Sequence, residues 1–181
     1  ITYALLIILT ATMTGWVTAL VCRFQPADFV ALQIDTGMMI ILRLITSFFG
    51  VYGFSLMFNS PRKMAMTAGL IGMFANTLRL ELIDLAHFPV GIAAFIGAFF
   101  TGCVASIVKK KIGYPRISLT VPAIVIMVPG LYMYRGIYYI GLNEIGDGSL
   151  WLTKAILIVM ALPMGLVAAR LCTDKNFRHC T

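Results

Sequence analysis

Charge is what this 181-residue chain has least of: Asp, Glu, Lys and Arg together make up 12%, roughly half their share in a soluble domain. No stretch is polar for long enough to form a soluble domain of useful size, and no segment is of low complexity. The four cysteines, Cys22, Cys103, Cys172 and Cys180, form no CxxC pair, and the two histidines, His87 and His179, stand far apart. That spacing excludes a zinc-type ligand set and leaves free thiols as the expected state. No serine–histidine–acid set falls at membrane depth and there is no phosphate loop, so neither an enzyme nor a cofactor is expected. Nor does any carboxylate lie in the middle of an apolar run, which leaves a proton-coupled carrier without a titratable group of its own on the path. No charged ring favours a channel.

What is present is apolar sequence: 60% hydrophobic residues and a mean hydropathy of +0.94. Several runs reach about 18 residues or more, the length that reads as a bilayer span. They continue to the C-terminal region, so a signal peptide does not explain them. The expectation is an all-α integral membrane protein with about six transmembrane helices in one domain, 1–171. The predicted spans are 1–21, 36–58, 64–83, 88–108, 117–140 and 149–171, followed by a polar tail at 172–181. The chain opens on Ile1 rather than Met, and the first span has no upstream flank to support it.

The net charge of +7 is distributed in a telling way. Arg62 and Lys63, then Lys109, Lys110, Lys111 and Arg116, then Arg170, Lys175 and Arg178 occupy every second connection. The intervening connections are acidic or mixed, with Asp28 and Asp35, then Arg79, Glu81 and Asp84, then Glu144 and Asp147. Six spans reproduce this alternation, and the Lys/Arg excess places the basic loops and both termini in the cytoplasm. The same rule accounts for the positive charge without nucleic acid as a partner; the lipid bilayer is the expected one.

Two spans carry residues that burden a membrane helix. The fifth contains VPAIVIMVPGLYMYRG at 121–136. Pro122 and Pro129 each remove a backbone donor, and Gly130 permits unusual dihedrals. Pro129 lies roughly 18 Å into the span, near the bilayer midplane. The span is therefore expected to be broken at Pro122 and at Pro129-Gly130, and carbonyls freed at that depth need protein or a water-filled cavity. Tyr134 and Arg135 follow about one turn later. Two readings of Arg135 stay open: a contact to cargo, or an anchor reaching the outer interface. The third span turns polar at GMFANTLRLELID, 72–84. Asn76 and Arg79 are candidates there, with helix-to-helix bonding the rival role for Asn76 and an interfacial position for Arg79. Arg43 is expected to reach outward. Ala94, Ala98, Gly102 and Ser106 form a small-residue stripe for helix packing, as do Gly69, Gly72 and Asn76. Tyr132, Tyr134, Tyr138, Tyr139 and Trp151 read as an aromatic belt.

FNSPRKM at 58–64 together with the 121–136 segment resembles the C-terminal membrane half of the threonine/serine exporter family. Its bacterial members show a similar Phe-Asn-x-Pro turn, here Phe58, Asn59 and Pro61. They also show Pro-Ala-x5-Pro-Gly, here Pro122, Ala123, Pro129 and Gly130, often followed by Tyr-Arg-Gly, here Tyr134, Arg135 and Gly136. The resemblance covers about 38–171. It implies a secondary exporter of a small polar metabolite in the bacterial inner membrane. It also implies a second membrane subunit of the same family, or a homo-oligomer, with the small-residue stripes as subunit contacts. Threonine or serine is the implied cargo; split members linked to succinate make a dicarboxylate the alternative, and a non-transporting scaffold subunit is a further one. The path would be shaped by Pro122, Pro129 and Gly130, with Tyr134 and Arg135 as polar contacts and Asn76 and Arg79 beside them.

Overall fold

The computed structural model describes residues 34–174 and, before them, positions 6, 10, 13–15, 17, 18 and 21–23. Most of the predicted first span and the tail from 175 lie outside the described residues. The described chain is helical throughout: α1 (Thr36–Met57), α2 (Arg62–Asp84), α3 (Val90–Ile112), α4 (Arg116–Val125), α5 (Gly130–Gly141) and α6 (Ile145–Thr173). Four segments are long and apolar enough to cross a membrane: Thr36–Met57, Val90–Ile112, Arg116–Gly141 and Ile145–Thr173. The architecture is that of an all-α, multi-pass membrane protein.

The helix ends follow from their residues. Asp35 opens α1, its carboxylate accepting from the Gly37 amide at 3.2 Å, the usual service of an aspartate at a helix start. Phe58 closes α1, and Asn59 takes a left-handed φ of 60°. The Asn59 amide donates to Leu56 O and the Ser60 amide to Ser55 O, the pair of bonds that satisfies the last carbonyls of a helix before a reversal. Pro61, which has no amide to lose, then opens α2. The Phe-Asn-x-Pro signature is thus one tight helical hairpin.

Several boundaries move from their predicted places. Lys109–Lys111, expected in a loop, form the last turn of α3, where cations favour the helix C-terminus, and Gly113 at φ 84° ends it. The acidic turn at 143–148 shrinks, because α6 begins at Ile145 with Asp147 in its favourable first turn. The tail expected from 172 begins later, since α6 continues through Thr173. Cys22, Cys103 and Cys172 are free thiols.

Two compact units result: Ile34–Pro129 with Lys154–Thr181, and Ile1–Gln33 with Gly130–Thr153. In the larger unit α2 packs on α1, α3 and α4, and α4 also meets α1 and α3. The buried cluster there combines Val51, Met64, Ala68, Ile71, Ala105, Leu119 and Ala123. Small residues set the spacing: a Cβ at Gly72 would lie 2.5 Å from Val51 Cγ2, and one at Gly69 3.0 Å from the Phe48 ring. The α3 stripe does not wait for another subunit. A Cβ at Gly102 would lie 2.6 Å from Ala169 Cβ, and one at Gly165 would lie 2.9 Å from Ala98 Cβ, so α6 of the same chain already covers that face. In the smaller unit α5 and the start of α6 meet through Gly136 and Gly148, where a Cβ on either would press on the other's carbonyl oxygen at 3.2 and 2.9 Å.

Candidate functional site

The interruption between α4 and α5 spans Ile126 to Pro129. The break expected at Pro122 does not occur there: Pro122 stands inside α4, which continues to Val125, three residues later. The chain then tightens, the Met127 amide donating to Ile124 O at 2.9 Å and the Val128 amide to Val125 O at 3.1 Å. Pro129, buried, contributes no donor. Gly130 opens α5 as its first residue. It does not use the left-handed freedom expected of it; Gly113 is the glycine with positive φ among the described residues.

The carbonyl of Met127 accepts a hydrogen bond from Arg79 Nη1 at 3.0 Å. Met127 is fully buried, so this bond supplies a charged donor to a backbone oxygen that water does not reach. A guanidinium just past the end of α4 also complements the negative end of that helix's dipole. Glycines make room for the arrangement. A Cβ at Gly97 of α3 would lie 3.3 Å from Arg79 Cβ and 3.4 Å from Met127 Sδ, and one at Gly50 of α1 2.6 Å from Ile126 Cδ1.

One turn from Arg79 on α2, Asn76 and Thr77 are buried. Asn76 Nδ2 donates to Ser47 Oγ of α1 at 2.9 Å. Its Oδ1 has no hydrogen-bond partner, and neither has Thr77 Oγ1. Asn76 therefore bonds helix to helix through its nitrogen. The late, polar half of α2 continues as helix to Asp84, its last buried residue being Thr77, with residues 79–83 partly buried and Asp84 exposed. There Arg43 Nη1 of α1 meets Glu81 Oε1 at 2.7 Å, and Arg43 Nη2 pairs with Asp84. Sequence reasoning missed this triad, treating Arg43 as an anchor and the two acids as surface residues. The available signal was the three-residue spacing of Glu81 and Asp84, which puts both on one helix face.

In the smaller unit, Arg135 Cζ lies 4.7 Å from the centroid of the Trp151 ring, a cation–π contact. Tyr132 also packs on Trp151, at 5.5 Å between ring centroids, and Tyr134 on Tyr138 at 6.2 Å. The residues expected as a belt thus pack in two groups, Tyr132 with Trp151 beside Arg135, and Tyr134 with Tyr138 and Tyr139; the Arg135 Nε is buried without a hydrogen-bond partner.

The two sequence signatures converge within the larger unit. Phe58 and Ser60 of the hairpin line a cavity of about 180 Å³ together with Val121 and Pro122 of α4. The family described as "Threonine/Serine exporter, ThrE" matches residues 43–172. The chain belongs to the threonine/serine exporter family. The match contains α2 to α5 entire and every candidate residue named above, and membership makes the molecule an exporter-type membrane protein. Nothing matches among curated proteins or among solved structures.

Proposed function

We propose that this chain is a secondary exporter, or one subunit of one, that carries threonine or serine across a bacterial inner membrane. The observation behind the reading is the bond from Arg79 to the Met127 carbonyl at the helix interruption. Interrupted helices with polar backbone at mid-membrane are a recurring transporter device. A zwitterionic hydroxy amino acid needs a cation for its carboxylate and acceptors for its ammonium and hydroxyl. Arg79, a charged donor to the Met127 carbonyl, is suited to exchange that carbonyl for a carboxylate. Asn76 Oδ1 and Thr77 Oγ1, buried without hydrogen-bond partners, are suited to the donors. Pro122, Pro129 and Gly130 shape the path, and Tyr134 and Arg135 contribute its further polar contacts. The basic connections and both termini face the cytoplasm, and a second membrane subunit or another copy completes the transporter.

The test is efflux from cells preloaded with labelled threonine and, separately, labelled succinate, at matched membrane abundance of the protein. Threonine efflux is expected, falling about tenfold or more in Arg79→Gln, the loss of one charge-assisted contact to the cargo. Succinate efflux instead would make the cargo a dicarboxylate. Unchanged flux per complex in both Arg79→Gln and Arg135→Gln, with less complex recovered, would make the chain a scaffold and defeat the site assignment. No flux of either solute would remove the exporter reading for these cargoes.

A further inference from the structure

A larger concavity with charged residues on its wall lies in the larger unit, between the end of α3, the start of α4 and the end of α6. Its volume is about 550 Å³. Lys109, Arg116 and Arg170 line it, against the single carboxylate of Asp174. Three cations facing one acid leave a positive concavity. Arg116 is held from behind: its Nη1 donates to Thr173 Oγ1 at 3.4 Å, and Thr173 is bonded in turn to Ser106 at 2.9 Å. Gly102 leaves room for this guanidinium, since a Cβ there would lie 3.1 Å from Arg116 Nη2. Arg116 and Arg170 line the same cavity, and an anion between these like charges would relieve their repulsion. The first turn of α4 borders the same space and has no side-chain cap, so its amides add to the attraction for negative charge. The remaining wall is apolar: Ile117 and Val167, both exposed, and Leu166.

We infer that this cavity is a phosphate site, and that it takes the headgroup of an anionic phospholipid whose chains lie along Ile117 and Val167. Cations above an apolar wall match a phospholipid at both ends, whereas free phosphate has no use for the wall. Basic pockets between membrane helices on the side of the positive loops are suited to such headgroups.

The experiment uses the purified full chain in nanodiscs of phosphatidylcholine alone and with 20% phosphatidylglycerol, reading thermal midpoint and retained lipid by native mass spectrometry. The wild type is expected to melt higher with phosphatidylglycerol and to retain it preferentially. With about fivefold for each of the two cations that would face the bound headgroup, K109Q/R170Q is expected to lose about 25-fold in retention. K110Q/K111Q, neighbouring charges that do not line the cavity, is expected to retain the lipid. A parallel arm adds inorganic phosphate in phosphatidylcholine: stabilisation equal to that by the lipid, lost in K109Q/R170Q, supports the phosphate site and makes a soluble ion its occupant. Equal behaviour of the wild type in the two lipid mixtures without a phosphate effect overturns the proposal. So does an equal loss in K110Q/K111Q, because the effect is then that of a basic surface.

Discussion

Three arginines of this chain meet three different partners, and the differences matter more than their shared charge. Arg79 donates to a backbone carbonyl, Arg135 covers an indole ring, and Arg43 pairs with Glu81 and Asp84. For Arg43, removing one member of the set leaves a half-buried carboxylate without its cation, which is worse than removing both. Arg43→Gln is therefore expected to lower stability by about 2 kcal/mol, measured by unfolding in detergent. Adding Glu81→Gln is expected to recover part of that loss, and a double-mutant cycle gives the coupling directly. Strictly additive losses would mean that the pair contributes nothing. At this scale the sequence was readable in part: Arg79 and Asn76 stood out as polar residues on a short apolar helix. Their partners did not, because Met127 O and Ser47 Oγ belong to segments 48 and 29 residues away, and no local period connects them.

Helices here approach one another through glycine, and the cost of filling a glycine depends on what faces it. A Cβ at Gly165 would lie 2.5 Å from Phe95 O and 3.0 Å from the Phe99 amide nitrogen. Those are backbone atoms that no rotamer change removes. Gly165→Val is expected to destabilise by about 3 kcal/mol, at the upper end of overpacking, and to lower the folded yield in detergent-solubilised membranes. Gly130→Ala is the control at the element level. Nothing lies within 4 Å of that position, and alanine suits a first helical residue. Its yield and melting midpoint are expected to match the wild type, and equal loss in both variants would contradict the packing argument. The interrupted segment was legible because proline and glycine carry their backbone rules with them. The extra turn of α3 was not, because Lys109–Lys111 suit a loop as well as a helix end, and only the left-handed Gly113 settles where the helix stops.

Across the whole molecule, the alternation of basic and acidic connections is the feature that sets orientation in the membrane. A cysteine placed at Lys110 in a cysteine-free background is expected to react with an impermeant maleimide only after permeabilisation of spheroplasts. One placed at Asp147, between α5 and the body of α6, is expected to react without it. The reverse pattern, or labelling of both from one side, would overturn the proposed orientation. Family membership across residues 43–172 does not depend on that outcome.

By itself the sequence determined the class and the family, because scarcity of charge, the length of apolar runs and the rules of proline, glycine and asparagine act locally along the chain. The tertiary structure decided which polar groups are paired. It joined Arg43 to the acids of α2, brought Arg79 to the interruption, and spent the α3 stripe on α6 rather than on another subunit. Those outcomes depend on which helix faces meet, and the meeting is set by close packing between residues far apart in the chain.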